Sequence, residues 1–216
     1  MALIYEDLIP TNERKAFVDK VKRISDDLEI NPNWLMGVMN FESGLNPKSR
    51  NNNTRATGLI QFIPSTAVSL GTTVDDLYNM SRLQQLDYVY KYYNQQWIRP
   101  KLTQYTDLYL ATIFPRAMGK PDSYVIEDLP KLTKEKFTSQ NPIFDRNGNN
   151  NKITTVGEIK AEKMKRIPQE WREQFGQNMD SVSKKFQRYY GVQVLLIVLF
   201  VISIGAIVWL KRKSLF

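Results

Sequence analysis

Glu42 is the residue of this chain best placed for chemistry. It ends the apolar run Trp34-Leu35-Met36-Gly37-Val38-Met39-Asn40-Phe41 and is followed at once by Ser43-Gly44. A carboxyl at a helix C-terminus among Trp, Met and Phe has two reasons to keep its proton. Desolvation disfavours the anion, and so does the negative end of the helix dipole. Such a group can serve as a general acid near neutral pH. The alternatives are few, because the 216 residues include no His and no Cys. That removes Ser-His-Asp and Cys-His nucleophiles, ordinary zinc sites and disulfide scaffolds. Catalysis has to rest on carboxylates, Tyr, Lys, Ser or Thr.

Around Glu42 the sequence runs in four spaced blocks: Glu42-Ser43, Asn46-Pro47, Gly58-Leu59-Ile60-Gln61 and Pro64-Ser65-Thr66-Ala67. This order resembles the signature of the lysozyme-like lytic transglycosylases, over roughly residues 11–130. The resemblance implies that Glu42 is both catalytic acid and catalytic base. It would protonate the glycosidic oxygen between N-acetylmuramic acid and N-acetylglucosamine in peptidoglycan. It would then deprotonate the muramic 6-hydroxyl, closing a 1,6-anhydro ring without water. The resemblance also implies that Gln61 hydrogen-bonds substrate in the sugar cleft and that Ser43 orients Glu42 or the sugar. Phe62 and Ile60 would wall the site, and Gly58 would permit close backbone approach. An ordinary glycoside hydrolase needs a second carboxylate about 5–10 Å away. No Asp or Glu occurs from Ser43 to Val74, and the next acids are Asp75 and Asp76. A single-carboxylate mechanism suits that gap, with the substrate's acetamido group steadying the oxocarbenium-like state.

The chain departs from the family where Ala-Tyr-Asn-Ala-Gly is usual. It reads Ala111-Thr112-Ile113-Phe114-Pro115-Arg116-Ala117-Met118-Gly119, without the hydroxyl and the amide. Phe114 is expected to pack, while Tyr109 and Tyr124 lie nearby in sequence. Asn141–Glu158 is rich in oxygen ligands, with Asp145, Asn147, Asn149 and Glu158. A calcium loop wants Gly at position six and Glu at position twelve. Counted from Asp145 those positions hold Asn150 and Val156. A polar turn is expected there, with no metal and no cofactor.

The elements that must position Glu42 read as mostly helical. Phe17, Val21, Ile24 and Leu28 recur at helical spacing over 11–29, with Thr11 as the expected cap. Pro32 opens a helix to about Phe41. Short helix 65–70, an amphipathic helix 83–97 and a buried, central helix 107–117 follow, with one short strand at 58–62. Loop and insertion are expected over 121–155, and a partly helical stretch interrupted at Pro168 over 155–183. The expected class is mainly α, an α+β lysozyme-like domain, with a C-terminal transmembrane helix.

The chain carries 30 Lys plus Arg against 22 Asp plus Glu, unevenly spread. Residues 1–130 hold 14 basic and 15 acidic residues, whereas 131–190 hold 13 and 7. A nucleic-acid binder carries its basic patch on the folded domain, so no nucleic-acid partner is expected. Val192–Leu210 has no charged residue and is long enough to cross a bilayer. Tyr189, Tyr190 and Trp209 flank it, and Lys211-Arg212-Lys213 follows. Three segments are expected: 1–130 as the transglycosylase domain, 131–190 as a basic stalk, and 191–211 as the membrane anchor. No apolar run of signal-peptide length stands at the N-terminus. With the anchor and the Phe-Pro-x-Ala stretch, this suggests a phage virion protein of a lipid-containing particle that degrades the host wall. Virion proteins would then be further partners. The competing readings are a non-catalytic glycan-binding or structural membrane protein, a bacterial wall-remodelling enzyme, and a muramidase-type hydrolase.

Overall fold

Two helices that run through the interior, α2 (Pro32–Ser43) and α6 (Tyr105–Ile113), set the architecture. The computed structural model describes residues 2–126, 137–139, 141–147 and 151–176. Helix α1 (Thr11–Leu28) turns Phe17, Val18, Val21, Ile24 and Leu28 inward. Its cap differs from expectation. Thr11 already lies in the helix behind Pro10, with no side-chain cap. Instead the Arg14 guanidinium donates to the Ile9 and Asp7 carbonyls and ties the entering chain to the first turn. Asn31 caps α2 (Pro32–Ser43), its Oδ1 accepting from Asn33 N at 2.9 Å. Trp34, Leu35, Met36, Val38 and Met39 are all buried, so α2 is apolar on nearly every side and packs against both α1 and α6.

Short helices α3 (Pro64–Ser69) and α4 (Val74–Asn79) follow. The sequence reading had no helix at α4, which is six residues long and shows no periodic apolar face. Helix α5 spans Arg82–Tyr93, opened by a reciprocal capping box between Ser81 and Gln84. It ends at Asn94, short of the expected Trp97. Helix α6 (Tyr105–Ile113) is buried from Tyr105 to Ala111. It starts earlier than expected because the buried Asp107 carboxylate accepts from Thr103 N, Thr103 Oγ1 and Gln104 N, satisfying donors that the first turn leaves over. Pro115 has no N–H to continue the helix and begins a single 3-10 turn to Ala117.

Residues 58–62 do not form a strand. The β structure of the described residues is three isolated bridges, Arg50–Thr57, Thr57–Phe62 and Val125–Thr155. The architecture is therefore mainly helical with almost no strand.

Described residues on both sides of the expected boundary near residue 130 contribute to the core. The described residues all fall within one compact unit, which runs from Met1 to Gln177. Helices α7 (Pro142–Asn147), α8 (Val156–Lys165) and α9 (Arg172–Gly176) belong to it. Val156, Ile159 and Ile167 are buried, and the described core includes Phe137 and Phe144. The oxygen-rich run is used structurally: Asp145 Oδ1 accepts from Lys152 N at 3.0 Å, and Glu158 closes a capping box on Thr155. Among the described residues no cluster of three or more acidic side chains could hold a metal.

Helix α9 sets Phe175 against Tyr105 edge-on, with ring centroids 4.7 Å apart. A Cβ on Gly37 would stand 2.9 Å from Phe175 Cε1 and 3.1 Å from Tyr105 Cε2. Gly37→Ala gains about 1 kcal/mol of helix propensity but overpacks a filled interior, which costs about 1–3 kcal/mol. The net expected outcome is a loss of up to about 2 kcal/mol, read as a lower denaturant midpoint with unchanged slope.

The apolar stretch 192–210 and the end of the expected stalk lie outside the described residues. Among the described residues no helix is long and apolar enough to cross a membrane.

Candidate active site

The last turn of α2, the loop 44–63, and helices α6 and α8 meet around Glu42. Gly44 ends α2 in the left-handed region, φ 61°, with its N–H on the Asn40 carbonyl. Ser43 Oγ lies 2.9 Å from the Met39 carbonyl and 3.0 Å from the Leu59 carbonyl. Its hydroxyl thus ties the loop to the end of α2.

The loop is held from beneath by Gln85, a buried amide on α5. Its Oε1 accepts from Leu59 N at 2.9 Å, and its Nε2 donates to the Pro47 and Leu77 carbonyls, each at 2.7 Å. Gly58 has φ 83°, and a Cβ there would stand 2.4 Å from Gln85 Oε1. The close approach that Gly58 permits is therefore to Gln85. Gln61 also sits at positive φ, 52°. Its Nε2 donates to the Ser49 and Gly58 carbonyls, leaving Oε1 without a partner among the described residues. Gln61 can thus offer a substrate an acceptor. Phe62 is 2% exposed and meets Tyr92 edge-on at 6.3 Å, and Ile60 is equally buried. Both pack beneath the loop, in the core.

Glu42 itself is half-buried, with no hydrogen bond or ion pair among the described residues. Its carboxyl is not among the sealed, unpartnered polar atoms, so it keeps an opening to solvent. Burial pushes its pKa up from 4.5 to about 7, and the Lys163 ammonium pulls the other way. The next acids downstream are held by partners. Asp75, on α4, is bound by Arg55 and Arg50, whose hydrogen bonds hold its carboxyl below the usual range. Asp76 Oδ2 accepts from Thr73 Oγ1 at 2.7 Å.

Tyr109 lies at this site, and Tyr124 does not. The Tyr109 ring meets Phe41 edge-on at 5.8 Å. Burial raises its phenol's pKa first, and the Glu42 charge adds to that. Tyr124 instead stacks under Lys120. Phe114 is 5% exposed and packs on Phe137, centroids 5.8 Å apart, so it fills core at the point of departure from the family.

Residues 20–99 match the transglycosylase SLT domain. That stretch holds Glu42, Ser43, Gly58, Gln61 and Phe62, and it covers less than half of the chain. No curated protein matches the chain, and no solved structure does. The SLT match supports a lytic transglycosylase, a glycan-cleaving lyase with peptidoglycan as its substrate class.

The sequence reading missed Lys163. It is 4% exposed on α8, with Nζ 3.4 Å from the Phe41 ring centroid and 3.8 Å from that of Tyr109. A signal was present: Val156 and Ile159 lie on the helical stripe on which Lys163 falls, so a lysine occupies an apolar face.

Proposed function

We propose that the protein is a peptidoglycan lytic transglycosylase that cleaves the β-1,4 bond between N-acetylmuramic acid and N-acetylglucosamine, with Glu42 as its single acid and base. The observation that carries this reading is a solvent-reaching carboxyl whose pKa burial raises to about 7, while the next acids downstream, Asp75 and Asp76, are held by Arg55 and Thr73. Protonated Glu42 gives its proton to the glycosidic oxygen as the C1–O bond breaks and N-acetylglucosamine leaves as an alcohol. The carboxylate then takes the proton of the muramic 6-hydroxyl as that oxygen bonds to C1. No water is consumed, and Glu42 ends as it began. Gln61 Oε1 would accept from a sugar hydroxyl or amide, and Ser43 holds the loop that carries Gln61 against α2.

The test is digestion of purified peptidoglycan by the full chain, with mass spectrometry of the products. Anhydro-muropeptides, about 18 Da lighter than hydrated ones, support the reading. Hydrated reducing ends would make the protein a muramidase, and no release by folded protein would leave a glycan-binding module. Because the acid form is needed to start the cycle, kcat/KM should fall above about pH 7, where Glu42 loses its proton. A rate flat from pH 6 to 9 would contradict the assignment.

The setting we favour is a membrane-anchored wall-degrading enzyme of a phage virion. The uncharged stretch 192–210 and the Phe114-Pro115-Arg116-Ala117 departure support it. Detection in purified virions, extracted only by detergent, is the expected outcome. Presence in the host envelope alone would favour bacterial wall remodelling.

A further inference from the structure

A buried lysine needs a reason. Lys and Glu are almost never fully buried unless paired, because taking an ion out of water costs more than burying any apolar side chain gains. Lys163 has no hydrogen bond and no carboxylate within ion-pair distance among the described residues and is 4% exposed, its Nζ, like the Glu42 carboxyl, not being among the sealed unpartnered polar atoms. Three rings surround it instead: Phe41 at 3.4 Å, Tyr109 at 3.8 Å and Phe144 at 5.4 Å from Nζ. Aromatic faces attract a cation, more so when it is desolvated. They do not neutralise it, so its field acts on whatever charge lies beyond the rings.

That charge is Glu42, the residue next to Phe41. The groups facing Lys163 from its surroundings are Glu42 on α2, Tyr109 on α6, and Glu162 and Arg166 on its own helix. Glu162 and Arg166 largely cancel, their atoms 2.8 Å apart, with the Arg166 guanidinium carbon 4.9 Å from the Phe41 ring centroid. Tyr109 is held neutral by burial. What is left uncompensated is one buried cation and one carboxyl.

We propose that Lys163 is a positioning residue that serves as the buried counter-charge of Glu42, favouring the carboxylate formed when the acid gives its proton to the leaving oxygen. The inference rests on the transglycosylase reading above and deepens it. Lys163 acts in its ammonium form, whose pKa burial brings down to about 7. Its role is to limit how tightly Glu42 holds its proton: burial alone would make the acid too weak to give it up. The two influences oppose each other at the carboxyl, and burial is the larger. Burial likewise lowers the ammonium's proton affinity, while the Glu42 charge raises it. Lys163 lies 64 positions beyond the end of the SLT match at residue 99, so the site is completed by a helix that the match does not include.

The test compares the full-length wild type with Lys163→Met and Lys163→Arg. The carboxyl carbon of Glu42 is followed by NMR through a pH titration, a readout that needs no substrate. Removing a nearby opposite charge raises the Glu42 midpoint, by about one pH unit. Lys163→Arg should bring it back to within a few tenths. A midpoint that does not move in folded Lys163→Met, or that moves equally in both variants, overturns the proposal. Because the methionine removes a desolvated charge, its Tm at pH 6 should be no lower than that of the wild type. A merely structural lysine would instead destabilise on loss and leave the Glu42 midpoint in place. Anhydro-muropeptide release separates the two readings. Absent release from a wild type whose Glu42 midpoint does respond to Lys163 would refute the transglycosylase and leave the charge pair standing.

Discussion

Glu42→Gln should abolish release of anhydro-muropeptides, lowering kcat/KM by at least about 10³-fold, since one group acts as acid in the first half of the cycle and base in the second. Glutamine keeps the shape of glutamic acid and loses both functions. The variant should still fold, and its stability supplies a second check. Glu42 has a folded pKa of about 7 against about 4.5 when unfolded. Its folding contribution is fully present below the lower value and is lost as pH rises through the upper one. Glutamine does not titrate, so the Tm of Glu42→Gln relative to wild type should climb between pH 5 and pH 8. Activity retained within tenfold, or a relative Tm indifferent to pH, would dismiss Glu42 as the buried acid.

Gly58→Ala should be the most damaging single-methyl change in the loop, costing about 3 kcal/mol. Two effects add. The backbone sits at φ 83°, where a Cβ is penalised by about 1 kcal/mol. The new methyl would also stand 2.4 Å from Gln85 Oε1. That amide cannot retreat freely, because its three hydrogen bonds satisfy Leu59 N and the Pro47 and Leu77 carbonyls in a buried setting. Displacing it would leave buried groups unpaired, at about 1–3 kcal/mol each. For a unit of this size the loss corresponds to a fall in Tm of about 6–12 °C, measurable by thermal unfolding. Gln85→Leu should cost a similar amount through the same orphaned groups. An unchanged Tm in Gly58→Ala would mean that the loop yields, and that Gln85 is not its support.

Most of what could be read in advance was local. The spacing of Phe17, Val21, Ile24 and Leu28, the Pro at the start of α2 and the turn after Ser43 each depend on a few neighbouring residues. The four blocks from Glu42 to Ala67 are likewise contiguous, and the SLT match covers them. Local signals failed where tertiary contacts set the boundary. Asp107 draws α6 back to Tyr105, and Pro115 cuts it at Ile113. Residues 58–62 look strand-like by composition but have no partner strand of any length, so they make one bridge and a tight turn.

Residues 131–190 show the same division from the other side. Their polarity and charge suggest a solvated stalk, since charge counting sees no contacts. Yet Phe137, Phe144, Ile159, Ile167 and Phe175 are buried, with Phe175 set against Tyr105 on α6 and Gly37 on α2. Composition averages over a segment, whereas burial depends on which face each side chain takes.

The acid and the loop beside it were legible because the chain holds Glu42, Ser43 and Gln61 within a short stretch, where chemistry and turn geometry follow from neighbours. Lys163 lies 121 positions from Glu42, and nothing in either local sequence refers to the other. Their meeting follows from α8 packing on α6, which brings a lysine's stem through apolar surface to the rings beside Glu42. Residue types and spacing define an acid that can hold a proton; how tightly it holds that proton depends on burial and on a charge from a distant helix, and both are properties of the packed chain.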